Sequence, residues 1–273
     1  MREKLIYDSE ERRHPMVESA LELRAYPDLL RMLVAMSITT RYKRSLLGVF
    51  WTLLNPLLHM VVLTVAFSTL FGERLPRYPV YVLSGLMVFE FFSQTTTYAV
   101  NQLVWGSPLL GRVFIPAAVF PLSAVGAGIV NFFLTLVPLL ALMVYFQNPF
   151  SWALLLVPLP LLLLAMLSLG FGLLLAAVAL SFNDAVNMWG VLVRAWYFLT
   201  PVMYPETIFP QKTRWLLETN PLYHLLRCIR DPIYSGHLPD PHSLVVACLW
   251  SVATLVLGWW VFSARRFQFA LQV

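Results

Sequence analysis

The residues with the greatest capacity for chemistry are two charged side chains, Glu90 and Arg194, which lie inside long apolar stretches of the sequence. A charged group inside a membrane is costly unless it is paired or faces water. Each residue lies roughly ten positions from one end of its stretch, so two membrane-crossing helices would hold both charges about 14 Å below the same surface. This spacing allows two interpretations: a buried ion pair that joins two helices, or a polar lining for the path of an anionic head group.

Other groups that could do chemistry are sparse. Lysine occurs only at Lys4, Lys43 and Lys212, and none lies in a glycine-rich loop of the kind that holds phosphates, so the sequence argues against an ATPase of that class. The histidines are scattered without metal-ligand spacing, and His59, which falls in an apolar stretch, is more often a packed residue than a ligand there. A membrane-embedded transferase would need clustered acids, whereas Glu90 is isolated.

The composition indicates that lipid surrounds most of the chain. Of the 273 residues, 59% are hydrophobic and 12% are charged, and the mean hydropathy is +0.72. So few polar groups cannot cover a soluble protein of this size. Roughly the first 45 residues are polar and lack an apolar run that ends in a cleavage site, which argues against a removed signal peptide. Cys228 and Cys248 have neither disulfide nor metal-ligand spacing, and we interpret both as inert.

Apolar runs of about 20 residues, the length of a helix that crosses a bilayer, recur along the sequence. The predicted spans are residues 49–71, 80–98, 117–146, 152–182, 188–203 and 244–262. We therefore predict an all-α integral membrane protein with six transmembrane helices in a domain of residues 47–263. Three prolines would kink the third and fourth spans, and two glycines would give the fourth span a thin face for close helix contact, namely Pro138, Pro158 and Pro160, and Gly170 and Gly172.

The distribution of basic residues predicts which side faces the cytoplasm. The side that carries both termini is rich in them: Arg2, Lys4, Arg12, Arg13, Arg24, Arg31, Arg41, Lys43, Arg44, Arg265 and Arg266. The opposite side has fewer: Arg74, Arg77, Lys212, Arg214, Arg227 and Arg230. Cytoplasmic tails are therefore expected at residues 1–26 and 264–273. Membrane orientation and contact with anionic lipid then explain the formal net charge of +5, so nucleic-acid binding is not needed to account for it.

Residues 27–46 have the pattern of an amphipathic interfacial helix. Pro27 can open this helix, which leads into basic residues at the membrane border. The two faces are Leu29, Leu30, Leu33, Met36 and Ser37 on one side, and Arg24, Asp28, Arg31 and Ala35 on the other. A cytosolic helix packed on a partner protein is the alternative, and both interpretations place residues 27–46 at the cytoplasmic surface.

Aromatic residues in and near the spans could line a path for a sugar or a lipid by stacking. The candidates are Trp51, Phe89, Tyr98, Trp196, Tyr197 and Tyr204. Interfacial belts and ordinary packing explain most aromatic residues of membrane proteins, and they remain the alternative for each of these side chains.

Five stretches resemble the ABC type-2 permeases that export lipid-linked polysaccharides such as O-antigen, capsule and wall teichoic acid. The stretches are RYKRSLLGVFWTLLNP at 41–56, GLMVFEFFS at 85–93, VFIPAAVFPLS at 113–123, and TPVMYPETIFP with NPLYHLLRCIRDPIYSG between 200 and 236. They follow the order of the family along nearly the whole chain. The resemblance implies six spans per subunit, a homodimer around a central channel, and two copies of a separate ATPase that binds ATP and Mg. No cofactor is expected in the chain itself.

The resemblance also assigns roles to segments. The loop of residues 101–112 would dock on the ATPase, with Asp184 in the loop after span four; the candidate contacts are Val104, Trp105, Leu109, Arg112 and Asp184. Residues 205–233 would form short re-entrant helices that close the outer face, with Asn220, Pro221 and Arg230 at the gate. Where many relatives have Phe-Arg-Asp, the chain has Phe182, Asn183 and Asp184, and Glu90 replaces an aromatic or neutral residue.

We therefore expect the membrane subunit of an ATP-driven exporter of a lipid-linked polysaccharide in a bacterial cytoplasmic membrane. Arg41, Lys43 and Arg44 could recruit the anionic lipid pyrophosphate at the inner border. Two alternatives remain: an exporter of a drug or small lipid, and a membrane-embedded transferase.

Overall fold

The computed structural model describes residues 23, 26–41, 48, 50–72, 75–110, 116–179, 181, 182 and 184–265, without the side chains of residues 40, 41 and 104–110. Every regular element in this part of the chain is a helix. The all-α prediction is therefore confirmed. Most of the predicted N-terminal tail, most of the C-terminal tail, Lys43, Arg44, Arg112 and Asn183 lie outside the described residues.

The α-helices are α1 (Pro27–Arg41), α2 (Phe50–Phe71), α3 (Tyr78–Leu110), α4 (Val119–Tyr145), α5 (Pro158–Ala179), α6 (Ala185–Leu199), α7 (Trp215–Glu218), α8 (Pro221–Arg230) and α9 (Pro241–Ala264). Short 3₁₀ turns lie at Trp152–Leu156, Glu206–Ile208 and Gln211–Thr213, and a π-helical turn at Asp231–Ser235. Residues 201–240, between α6 and α9, are called the connecting segment below.

Four helical stretches of the described chain are long and apolar enough to cross a membrane: Phe50–Phe71, Val119–Tyr145, Trp152–Ala179 and Pro241–Ala264. They correspond to the first, third, fourth and sixth predicted spans. The helix at the second span, α3, has 33 residues but contains Glu90, Gln94 and consecutive threonines, which lower its hydropathy. The helix at the fifth span, α6, has only 15 residues. Six spans therefore remain a prediction.

Helix α3 continues without a break to Leu110, through most of the segment that was expected to form a loop. At 1.5 Å per residue its 33 residues extend about 50 Å, more than the roughly 30 Å of hydrocarbon in a bilayer. If α3 spans the membrane along the bilayer normal, as the sequence predicts for its first part, one of its ends projects beyond the hydrocarbon core. The segment from Asn101 onward is the end of this helix rather than a separate element.

Helices α5 and α9 pack at very short distance because glycines face each other. A Cβ atom on Gly258 would lie 2.3 Å from the Gly170 carbonyl oxygen, and one on Gly170 would lie 2.5 Å from the Thr254 carbonyl. A Cβ on Gly172 would be 3.0 Å from Ala99 of α3. Small residues allow such close helix contact in membranes, and the sequence prediction for Gly170 and Gly172 is confirmed.

Of the three prolines predicted to lie inside helices and kink them, one lies inside a helix and two lie at a helix start. Pro138 lies inside α4, as expected. Pro158 is the first residue of α5 and Pro160 its third, so they begin the helix and do not kink it. The reason is that amide groups in the first turn have no partner within the helix, so a proline costs nothing there.

Helix α1, which the sequence predicts to be interfacial, packs on α4, where Val34 lies against Gly126. Its exposed side includes Met36, which had been assigned to the apolar face, whereas Ser37 is buried as expected. A chain of hydrogen bonds links three helices here, because Gln102 Nε2 donates to Ser37 Oγ at 3.1 Å and Ser123 Oγ donates to Gln102 Oε1 at 2.9 Å. Gln102 thus joins α1 and α4 to the C-terminal part of α3.

Candidate functional site

A cavity of about 310 Å³ opens between α2, α3 and α4. Its walls combine amide, hydroxyl and carboxylate groups with aromatic rings, which is unusual inside helices as apolar as α2 and α4. The lining residues are Trp51, Thr52, Asn55, Pro56, Met87, Glu90, Phe91, Gln94, Gly128, Asn131, Phe132 and Thr135. We call this cavity the polar groove.

Four-residue spacing places the polar side chains in the groove. Trp51 and Asn55 share one face of α2, and Glu90 and Gln94 share one face of α3. Asn131 and Thr135 repeat the pattern on α4. Residues four apart lie one above the other on a helix, so the three pairs meet at one cleft.

Sequence reasoning identified Trp51 and Glu90 in the polar groove but missed Asn55, Gln94 and Asn131. The available signal was a pair of side chains with polar groups, four positions apart, within each of three apolar runs.

Glu90 is paired with His59 across α2 and α3. The distance from His59 Nδ1 to Glu90 Oε1 is 3.2 Å, and the side chain of His59 is 70% exposed. His59 is therefore not the packed residue that the sequence suggested. The pair lies at the rim of the groove, since Glu90 lines it and His59 is one turn beyond Asn55.

Arg194 and Glu90 do not form the ion pair that their depth allowed. Arg194 is exposed on α6 and its Nε donates to the Gly190 carbonyl of its own helix at 2.9 Å. The equal depth stays a prediction, and the two side chains have different partners: Glu90 contacts His59, whereas Arg194 bonds within its own helix. Arg194 stays a candidate for the path of an anionic group.

The aromatic candidates divide between the groove and the protein interior. Phe89 and Tyr197 contact each other edge to face, with ring centroids 5.0 Å apart. Trp196 belongs to a packed cluster with Phe92, Phe171 and Trp189. Tyr204 lies in the connecting segment, where its hydroxyl donates to the Phe198 carbonyl, and Tyr98 is half-buried on α3. The structure does not bring these residues into one continuous lining within a single chain.

Arg230, at the end of α8, holds the connecting segment against α3. Its guanidinium donates to the carbonyls of Pro201 and Val202, both at 2.8 Å, and lies 3.9 Å from the ring centroid of Tyr81. The side chain is buried, and a Cβ on Gly85 would lie 2.1 Å from its Nη2. None of the ion pairs found among the described residues includes Arg230, so carbonyl dipoles and an aromatic face replace a carboxylate.

Asn220 and Pro221 begin α8 in the manner typical of a helix start. Asn220 Oδ1 accepts from the Leu222 amide at 3.0 Å and from the Trp196 indole at 2.9 Å. Its Nδ2 donates to Thr200 Oγ1 at 3.0 Å. One side chain therefore caps α8 and fastens it to the end of α6.

Replacing Asn220 with alanine is expected to lower the free energy of unfolding by about 2 kcal/mol, because the helix loses its cap and the buried Trp196 donor loses its acceptor. Unfolding by SDS in lipid nanodiscs, followed by tryptophan fluorescence, measures the change. Asn220→Asp keeps the acceptor oxygen and should retain most of the stability. Asn187→Ala on the exposed face of α6 is the matched control, and an equal loss there would contradict the assignment.

A polar network holds the rest of the connecting segment. Arg227 lies 3.7 Å from Glu206 and 3.9 Å from Asp240, and the Tyr223 hydroxyl donates to Glu206 at 2.7 Å. Asp240 caps the start of α9 by accepting hydrogen bonds from the amide and the hydroxyl of Ser243. These hydrogen bonds lower the pKa of the Asp240 carboxyl. Burial raises the pKa of Asp231. The network joins α8 to the start of α9.

Of the residues expected to contact an ATPase, Val104, Trp105 and Leu109 lie on the last turns of α3, where side chains are not described. Asp184 is exposed and precedes the first residue of α6. These positions are at helix ends, and their roles in docking remain predictions.

Comparison with known proteins places the chain among transporters. The sequence model of the ABC-2 type transporter family matches residues 28–234. The O-antigen export system permease protein RfbA of Myxococcus xanthus is 34% identical over 258 residues, which cover 93% of this chain and 99% of that protein. The protein of the same name from Klebsiella pneumoniae is 26% identical, over 89% of this chain and 94% of its own length. The polysialic acid transport protein KpsM of Escherichia coli is 25% identical, over 84% and 90%.

The family match spans more than half of the chain, and the Myxococcus xanthus permease aligns along almost its whole length. Both agree with the apolar, all-helical architecture. The chain is therefore a transporter membrane subunit that belongs to the ABC-2 type transporter family.

Proposed function

We propose that this chain is the permease subunit of an ABC transporter that exports a lipid-linked polysaccharide across a bacterial cytoplasmic membrane. The observation that supports this most strongly is the near full-length similarity to permeases named for O-antigen export and polysialic acid transport. The polar groove adds a structural argument, since a transporter of a sugar chain needs polar surface within apolar helices.

In this proposal α3 and α6 are the second and fifth of six spans, and both termini are cytoplasmic. The exposed apolar side chains on α2 and α6 are surfaces for a second copy or for lipid, which fits a homodimer around a channel. Energy comes from two copies of a separate ATPase chain that bind ATP and Mg. Both assignments follow from the ABC family rather than from this chain alone.

Helix α3 gives the proposed coupling a physical route. Its C-terminal end carries the segment expected to dock on the ATPase, and its N-terminal end contacts the connecting segment. There Tyr78 donates to the Met203 carbonyl at 2.6 Å and Tyr81 donates to the Tyr204 carbonyl at 3.0 Å. A continuous helix transmits displacement along its axis, so movement of the docked end shifts the proposed outer gate of Asn220, Pro221 and Arg230.

The decisive experiment deletes the gene in its native host and measures polysaccharide on the cell surface. We expect surface polysaccharide to disappear and lipid-linked precursor to accumulate inside, with both reversed by the gene on a plasmid. The tagged chain should also co-purify with an ATP-hydrolysing subunit in equal copy number. Unchanged surface polysaccharide with altered drug resistance would instead indicate an exporter of a drug or small lipid.

The basic residues Arg41, Lys43 and Arg44 are proposed to attract the anionic pyrophosphate of the lipid carrier at the inner membrane border. Neutralising all three to glutamine should slow export severalfold and weaken the stimulation of ATP hydrolysis by lipid-linked substrate. Reconstituted proteoliposomes provide both measurements. The idea fails if transport and stimulated ATP turnover are unchanged while the complex assembles normally.

A further inference from the structure

We infer that the polar groove between α2, α3 and α4 binds a sugar unit of the transported chain, and that each protomer contains this site within its own helices. The inference rests on the proposed function and adds to it a location and a ligand chemistry. It concerns neutral, hydroxyl-bearing sugar rings rather than the phosphate of the lipid carrier.

The functional groups of the groove match those of a sugar ring. Asn55, Gln94 and Asn131 each present an amide with two N–H donors and a carbonyl acceptor. Each ring hydroxyl can both donate and accept, so it can accept from an amide N–H of the groove and donate to an amide carbonyl. The indole of Trp51 supplies a flat apolar surface of the kind on which a sugar face packs. The volume of about 310 Å³ lies at the lower end of the range for small-molecule sites, which suits one sugar unit.

The charge of the described lining favours a sugar over a phosphate. Among the residues that the structure describes, the lining contains one charged residue, Glu90, and neither lysine nor arginine. The neighbouring His59 is engaged with that carboxylate at 3.2 Å. A phosphate would lie near an acidic group, and no described side chain of the lining offers a guanidinium or ammonium to neutralise it. Carboxylates, in contrast, accept readily from hydroxyl groups.

The groove is also at the appropriate depth. Asn55 is five residues into α2, and Asn131 is twelve residues into α4. At about 1.5 Å per residue these positions span roughly 8 to 18 Å from the helix ends, well inside the hydrocarbon region of the proposed spans. Polar side chains at this depth are expensive in lipid, so their convergence on one cleft favours a polar occupant such as a sugar chain in transit.

Photocrosslinking in living cells tests the site directly. A benzoylphenylalanine replaces Trp51, and the matched control places it at Trp260, an exposed residue near the end of α9 outside the groove. Both tryptophans lie within a few residues of a helix end on the proposed cytoplasmic side, so the two probes have similar depth. After irradiation the purified chain is treated with periodate and a hydrazide tag, which labels vicinal diols of sugars, and its phosphorus content is measured.

We expect a sugar-positive adduct at position 51 and none at position 260. Gln94→Leu combined with Asn131→Leu should reduce the adduct about tenfold, since each lost hydrogen bond weakens binding several times. Asn187→Leu, outside the groove, should leave the adduct unchanged. A phosphorus-positive adduct without sugar, a crosslink to a second copy of the chain, or no adduct at position 51 would each overturn the assignment. The same strains report surface polysaccharide, so failure of the groove is distinguished from failure of the exporter function, which the gene deletion decides.

Discussion

Replacing Arg230 with alanine is expected to lower the free energy of unfolding by about 4 kcal/mol and to abolish export. The carbonyls of Pro201 and Val202 would each lose a charged donor at 2.8 Å, and a buried acceptor left without a partner costs about 1–3 kcal/mol. The lost contact with the Tyr81 ring adds about 1–2 kcal/mol in a desolvated site. SDS unfolding in nanodiscs gives the stability, and surface polysaccharide in a complemented deletion strain gives the export.

Two further variants separate this local structure from a general loss of positive charge. Arg230→Lys retains the charge but cannot donate to both carbonyls with fork geometry, so an intermediate loss is expected. Arg214→Ala is the control, because Arg214 lies in the same connecting segment, is 63% exposed and pairs with Glu218 at 3.7 Å. Exposed pairs contribute little. If Arg214→Ala and Arg230→Ala were equally destabilising, the role given to the buried guanidinium would be wrong.

Gly258→Val should be the second most damaging of the changes considered, with an expected loss of about 3 kcal/mol. The new Cβ would lie 2.3 Å from the Gly170 carbonyl oxygen, which is backbone and cannot rotate away. Helices α5 and α9 would have to separate, and neighbouring contacts such as that between Gly170 and Thr254 would be lost with them. Thermal unfolding of the purified chain in nanodiscs measures the effect.

Gly190→Val provides the matched comparison for Gly258→Val. Both glycines lie inside helices, but a Cβ on Gly190 would meet nothing within 4 Å. Adding a side chain there removes the entropic cost of glycine in a helix, so stability should be unchanged or slightly higher. A similar loss for both variants would show that helix propensity, rather than the contact of α5 with α9, determines the result.

Helix α3 has a central place in both the proposed mechanism and these predictions. Its near end carries Tyr81 and Gly85, which contact Arg230, and its middle contributes Glu90 and Gln94 to the polar groove. Its C-terminal part carries Gln102, which donates to Ser37 of α1. Displacement of this one helix would therefore alter the connecting segment, the groove and α1 together.

The amino-acid sequence determined where the apolar helices lie, because hydrophobicity and length suffice to define a helix in lipid. The start of α8 at Asn220 and Pro221 also follows from local chemistry, since capping and proline placement depend on neighbouring residues alone. The family could also be recognised from the sequence, because its motifs are contiguous stretches of residues. Local rules also gave errors, as at Pro158, where an apolar 3₁₀ turn precedes the helix and hides its start.

Only the tertiary structure decided which residues meet. Depth along a helix follows from counting residues, but the direction of a side chain depends on how each helix is rotated and which helices are neighbours. For this reason Glu90 contacts His59 and not Arg194, the partner that the sequence had suggested. The carbonyl partners of Arg230 and the grouping of Asn55, Gln94 and Asn131 around one groove likewise come from helices far apart in sequence, because long-range packing sets their rotation.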